Sequence, residues 1–263
     1  MVAMQSGNGP VILVDVGNTS VTLGLAEKGK ILRRGRVLTI RSGSIRSALT
    51  RLLGRRRAVA AVFCSVVPPA NKPWLRELRR LVGNNVLVVS HKLKLGVKIR
   101  YPRPQTIGAD RLADACGAAW YHGVPTIVAD FGTAATLDVI SRGREYLGGV
   151  IAPGPAIMSE CLAERTALLP KIRLRHRCGG IGKSTAEAMQ IAAVIGYRGL
   201  VQEITGHLLH SMGDRNVRLC ATGGYAKQAL RGLDLPFVID PDLTLRGLWK
   251  IYELNACRKT VGK

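Results

Sequence analysis

The chain has 263 residues, 47% hydrophobic and 21% charged, the composition of a soluble globular protein long enough to bury a core without metal or disulfide staples. No apolar run reaches the length of a membrane span, and the opening MVAMQSGNGP lacks the basic-then-apolar order of an export signal, so a cytoplasmic protein with no membrane partner is expected. The formal net charge of +22 is unevenly spread: residues 1–107 hold 20 Lys and Arg against only Asp15, Glu27 and Glu77.

In chain order, strand-like runs come first, at 11–16, 21–26 and 30–38, with Lys28-Gly29-Lys30 as the turn between the last two. A helix over 44–53, a strand over 58–63, a helix over 70–82 after Pro68-Pro69 and a strand over 86–89 follow. The pattern Leu112, Ala115, Cys116, Ala119 predicts a helix over 108–122. Beyond it come a strand from 126, a second strand, a third through Gly148-Gly149-Val150-Ile151, and helices at about 155–163 and 184–211. A strand over 217–221 leads into Thr222-Gly223-Gly224, followed by a short strand at 236–239 and a helix at 242–255. Six cysteines (Cys64, Cys116, Cys161, Cys178, Cys220, Cys257) show no zinc-type spacing and read as reduced structural thiols. The five histidines suggest no metal site.

The chain carries an internal repeat. ILVDVGNTSVTLGL (12–25) aligns with IVADFGTAATLDVI (127–140), setting Asp15 on Asp130, Gly17 on Gly132 and Asn18 on Thr133, with a glycine turn, Gly29 or Gly143, after the second strand of each. Duplication accounts for this, and the domains are expected to be 1–107 and 108–263. Gly17 and Gly132 let backbone N–H groups converge on phosphate oxygens, while Asn18, Thr19 and Thr133 add side-chain donors. Asp15 and Asp130 then suit the accompanying cations, since hard carboxylate oxygens fit Mg²⁺ with much of its water retained. A single such turn reads equally as a hairpin glycine with a capping carboxylate; two in register point to a polyphosphate held by both halves.

Specific blocks narrow the reading. They are DVGNTSVT (15–22), Tyr101 seven residues before GADR (108–111), DFGTAAT (130–136), GGVIAPG (148–154), TALLP (166–170), Ser184-Thr185, Thr222-Gly223-Gly224, and DLTLRGL (242–248) with Asn255. The duplicated halves resemble the superfamily of actin, the sugar kinases and acetate kinase, and the blocks in this order resemble type III pantothenate kinase. That resemblance implies an α/β fold of two duplicated ribonuclease H-like domains with mixed sheets and a nucleotide cleft between them. It also implies ATP-dependent phosphorylation of pantothenate, which opens coenzyme A synthesis.

By the same resemblance Asp110 is the general base, Arg111 binds the substrate carboxylate, and Tyr101, Gly108 and Ala109 shape the pantothenate pocket. Thr185 reaches the pantothenate site of a neighbouring subunit, implying a homodimer. Asp15, Val16, Gly17, Asn18, Thr19, Ser20, Val21, Thr22 and Thr133 contact ATP; Asp130 holds a monovalent cation, K⁺ or NH₄⁺, and Asp15 acts through Mg²⁺. Ala135 and Ile191-Ala192 depart from the family's usual residues.

Structural readings coexist with these roles. Asp110-Arg111 also suits a helix start with a surface pair, and Ser184 with Glu187 forms a capping box. Two rival functions remain: a non-catalytic nucleic-acid-binding regulator that uses the basic half, and a nuclease with clustered Asp residues. Aromatics at 5%, not interleaved with the basic runs, argue against nucleic acid as a partner, and the paired glycine turns have no purpose in a nuclease.

Overall fold

The computed structural model describes residues 4–5, 9–39, 45–173 and 179–257. Residue 44 of the expected 44–53 helix and Cys178 lie outside them. The fold divides into two compact units, Met1–Tyr121 with Asp242–Lys263, and His122–Pro241.

The first unit contains β1 (Met4–Gln5), β2 (Val11–Val16), β3 (Ser20–Glu27), β4 (Lys30–Leu38), α1 (Ile45–Leu53), β5 (Ala60–Ser65), α2 (Pro68–Val82), β6 (Val86–Val88), β7 (Lys98–Ile99) and α3 (Ala109–Gly117). One sheet runs in the order β4-β3-β2-β5-β6, with β2 antiparallel to β3 and parallel to β5. Both faces of β2 are covered, so Val11 through Val14 form a continuous apolar run with no exposure. Ile12, Val14 and Val16 pack with Leu23 and Leu25 against Leu49 and Leu52 of α1 and Trp74 and Leu78 of α2. The period-two geometry of a strand sends Leu13 and Asp15 to the opposite face.

The expected 108–122 helix is α-helical only to Gly117; a π-helical turn, Ala118–His122, follows. This wider turn carries Trp120 and Tyr121, over whose rings lie the Lys250 ammonium at 3.5 Å and the Arg246 guanidinium at 3.9 Å.

The second unit contains β8 (Thr126–Phe131), β9 (Ala134–Ile140), β10 (Glu145–Pro153), α4 (Pro155–Arg165), α5 (Thr185–Ile191), α6 (Tyr197–Met212), β11 (Arg218–Thr222), α7 (Ala226–Ala229) and β12 (Phe237–Ile239). Its strands run β12-β11-β8-β9-β10, with β8 antiparallel to β9 and parallel to β11. This is the first unit's plan repeated: a central strand, an antiparallel meander on one side and two parallel strands on the other. The duplication expected from the sequence is thus present in topology. The predicted 184–211 helix is interrupted by a π-helical stretch, Ala192–Gly196, directly after Ile191. The short α7 had no counterpart among the expected elements.

The chain then returns to the first unit through α8 (Leu243–Asn255) and β13 (Ala256–Cys257), the latter pairing in parallel with β1. Helix α8 crosses α3 so closely that a Cβ on Gly247 would sit 2.0 Å from the Ala113 carbonyl oxygen. Leu245 fills the gap left by Gly24 on β3. The division therefore falls after Tyr121 rather than after residue 107, because α3 and α8 together cover the β2–β5 face of the first sheet. Cys64, Cys116, Cys161 and Cys220 form no disulfide among the described residues.

Candidate functional site

In the first unit, Asp15 ends β2 with Thr22 opposite it on β3 and Cys64 beside it on β5. The turn that follows is tied at several points. The Gly17 N–H donates to the Ser20 carbonyl at 3.1 Å, and the Thr39 hydroxyl donates to the Gly17 carbonyl at 2.7 Å. Arg36 donates to the Ser20 hydroxyl at 2.9 Å. Asn18 and Thr19 remain exposed at the tip.

Helix α3 brings a second carboxylate to the same environment. Asp110 lies in its first turn and accepts the Arg111 N–H at 2.7 Å. A Cβ on Gly108 would lie 2.4 Å from Asp110 Oδ1, so the carboxyl folds back into space that only glycine leaves. Burial pushes the Asp110 pKa above its ordinary value, outweighing the Arg111 N–H bond and charge that pull it down. One helical turn later, Asp114 is buried and accepts the Thr244 hydroxyl of α8 at 2.7 Å.

Cys64 links these groups. Burial raises its thiol pKa well above the usual range, and the charges of Asp15, Asp110 and Asp114 raise it further, so the thiol stays protonated and hydrogen-bonds Asp15. The structure therefore brings Asp15 and Asp110 into one electrostatic environment. Arg111, Gly108 and Ala109 sit at that helix start, and half-buried Tyr101 lies in the segment leading to it. Asp114, Cys64 and Thr244 were not singled out from the sequence. The four-residue spacing of Asp110 and Asp114 on a helix was the available signal.

In the second unit Asp130 holds the equivalent position, with Thr136 opposite and Thr222 beside it. The Gly132 N–H donates to the Ala134 carbonyl at 3.0 Å, and the Gly154 N–H to the Thr133 carbonyl at 3.0 Å. This turn is walled in by glycines. A Cβ on Gly154 would lie 2.3 Å from the carbonyl oxygens of both Gly132 and Thr133. One on Gly223, where φ is +93°, would lie 2.2 Å from Asp130 Oδ1. Tyr197, also absent from the sequence-derived residues, has a buried hydroxyl with no hydrogen-bond partner among the described residues. Burial raises its pKa, and the Asp130 charge adds to that.

Thr185 opens α5 and is exposed, while Ser184 caps the helix by accepting the Glu187 N–H at 3.2 Å. The Glu187 carboxylate reaches back to the Lys183 N–H at 2.8 Å, closing the capping box one residue early. Among the described residues no cluster of three or more His, Cys, Asp or Glu is arranged to hold a metal. Carboxylates beside polar turns, as at Asp15 and Asp130, do fit an ion that keeps its waters and shares a phosphate ligand.

A family model described as type III pantothenate kinase matches residues 11–207, from the start of β2 into α6. The chain belongs to the type III pantothenate kinase family. Curated members include one from Akkermansia muciniphila, 44% identical over 90% of this chain and 96% of its own. Another, from Dehalococcoides mccartyi, is 37% identical over 95% and 98%. Among solved structures, a Campylobacter jejuni protein described as a Baf family transcriptional activator superposes with a TM-score of 0.61 at 19% identity. It covers 92% of this chain and 97% of its own. The ethanolamine utilization protein EutJ of Carboxydothermus hydrogenoformans gives 0.54 at 14% identity, covering 96% and 92%. These two likenesses concern the fold alone. The kinase family's match spans both duplicated turns and the GADR helix start, and no helix among the described residues is long and apolar enough to cross a membrane.

Proposed function

We propose that this chain transfers the γ-phosphoryl group of ATP to the primary hydroxyl of pantothenate, the opening reaction of coenzyme A synthesis. The observation that carries this reading is the Asp110 carboxyl. It is folded against Gly108 at the start of α3, raised in pKa by burial, and shares its environment with the Asp15 turn in a member of the pantothenate kinase family.

Asp110 is the general base. A primary alcohol is too weak an acid to be ionised beforehand, but in a loose phosphoryl-transfer transition state its proton leaves late, toward a positioned carboxylate. Raised basicity improves that acceptance. Arg111 pairs with the substrate carboxylate, for which a planar guanidinium offers two parallel donors. Tyr101, Gly108 and Ala109 shape this pocket.

The 15–22 turn and Thr133 offer N–H and hydroxyl donors to the triphosphate, and Asp15 would hold Mg²⁺. Bound there, the ion would offset charge on the transferring phosphoryl oxygens. Asp130, set among the carbonyl oxygens of its glycine-walled turn, takes K⁺ or NH₄⁺. Exposed Thr185 is available to the pantothenate of a second subunit in a homodimer. A cytoplasmic location follows from the substrates. The rival reading, a nucleic-acid-binding regulator, draws on the basic first half but leaves the half-buried Asp110 without a purpose.

The test is ADP formation from ATP with and without pantothenate, in K⁺ and in Na⁺, for the wild type and Asp110→Asn. Pantothenate-stimulated turnover that is lost in the variant supports the reading. No stimulation in the wild type sinks it, and equal rates for the variant sink the base assignment.

A further inference from the structure

The first unit's charge is unexplained by the proposed reaction, and it has a focus. Of the three acidic residues in 1–107, Glu27 pairs with Arg56, Glu77 with Arg46 and Arg80, and Asp15 lies inside with Cys64. The outer strand β4 and helix α1 enclose a hollow of about 380 Å³. Its floor is apolar, made by Leu23, Val37, Ala48 and Leu52, and arginines line its rim.

The hollow exists because of Gly35. On β4 the positions facing α1 are Arg33, Gly35 and Val37: Arg33 reaches the Leu52 carbonyl at 3.5 Å, and Val37 packs on the α1 core. A Cβ on Gly35 would meet only Leu23, at an ordinary 3.6 Å, so a side chain is absent there without steric need. Arg34 is engaged by Asp242 and Arg36 by Ser20. Arg33 and Arg51 meet no carboxylate among the described residues.

We propose that this hollow binds a nucleoside polyphosphate, with its ring system on the apolar floor and its phosphates between Arg33 and Arg51. It uses none of the residues assigned above to ATP or pantothenate, and it does not depend on the kinase reading. The volume lies within the range of small-ligand sites, which pair an apolar lining with few polar anchors. Guanidinium groups match phosphate oxygens two at a time, and the surrounding positive field favours multiply charged ligands over a single carboxylate. A long nucleic acid is less suited: the lining has no aromatic ring on which successive bases could stack.

The test follows side-chain methyl NMR signals of Val37, Ala48 and Leu52 in the full chain as ATP is titrated without pantothenate. Saturable shifts at these methyls are expected in the wild type. Arg33→Ala/Arg51→Ala should weaken that binding by at least about tenfold, the equivalent of one lost charge-assisted contact. Gly35→Leu, which fills the hollow, should abolish the shifts, and both variants should keep the wild-type turnover at saturating ATP. The proposal is overturned by absent shifts in the wild type or by shifts that persist in both variants. Inorganic tripolyphosphate binding as tightly as ATP overturns the nucleoside part. A single-stranded oligonucleotide that displaces ATP and still binds Gly35→Leu reassigns the surface to nucleic acid. If pantothenate-dependent turnover is missing while the methyl shifts remain, the kinase reading fails and the hollow stands.

Discussion

The two units repeat one plan, yet they surround the repeated aspartate differently. Asp15 and Asp130 each sit at the end of a central strand, opposite a threonine on the antiparallel neighbour. Beside Asp15 is Cys64, with Asp110 and Asp114 contributing charge; beside Asp130 are Thr222, a left-handed Gly223 and the buried Tyr197 hydroxyl. The first aspartate belongs to an acidic environment suited to handling a proton and a hydrated divalent ion. The second belongs to a tightly closed backbone cradle. Duplication has kept the backbone position and let the neighbours set the chemistry.

If the first environment is the reactive one, Asp110→Asn should have the largest effect, lowering pantothenate-dependent turnover by about 10²–10⁴-fold in steady-state assays. The same variant should be more stable than the wild type at neutral pH. A carboxyl with a raised folded-state pKa contributes stability that is present below its unfolded pKa, and that contribution is lost as pH rises through the raised value. The difference between wild type and variant in urea melts should therefore grow as pH climbs from the ordinary carboxylate range, and wild-type turnover should fall as the group protonates.

The closed cradle is probed by paired substitutions. Gly223→Ala should cost on the order of 3 kcal/mol in denaturant unfolding, from its positive φ and the clash with Asp130. Gly17→Ala, whose Cβ would lie 3.2 Å from the Ser20 carbonyl, should cost no more than about 1 kcal/mol. Equal costs would erase the contrast between the turns. Thr244→Val should destabilise by about 1.5–3 kcal/mol, since it strips a hydroxyl from a buried carboxylate. Tyr197→Phe should have the smallest effect, within about 1 kcal/mol and neutral or stabilising, because the hydroxyl it removes has no partner among the described residues.

Much of this was legible in the sequence where the signal was local. The apolar run 11–14 and the repeated Asp-x-Gly turn gave strand, turn and strand in both halves, because burial on two faces and a glycine turn leave direct marks. The GADR helix start was likewise visible. What escaped depends on contacts between distant segments. Cys64 read as an inert thiol until β5 placed it beside Asp15, and Asp114 gained meaning only when α8 brought Thr244 to it. The two π-helical turns left no mark, since the residues around Trp120 and Ile191 keep helical apolar spacing through the change of pitch. The unit division escaped for the same reason: the Gly247 approach to Ala113 is a tertiary event.

That approach also sets an order for synthesis. The first unit is interrupted by the whole of the second, and its Asp110 helix lacks its covering partner until residues 243–255 have left the ribosome. At about 5–20 residues per second, the roughly 120 intervening residues impose a wait of several seconds. Throughout it, the α3 face around Ala113 and Gly117 stays open to water, and the carboxyl of Asp114 goes without Thr244. The nascent chain thus carries Asp110, the proton acceptor we propose, on a scaffold that stays unfinished until α8 docks.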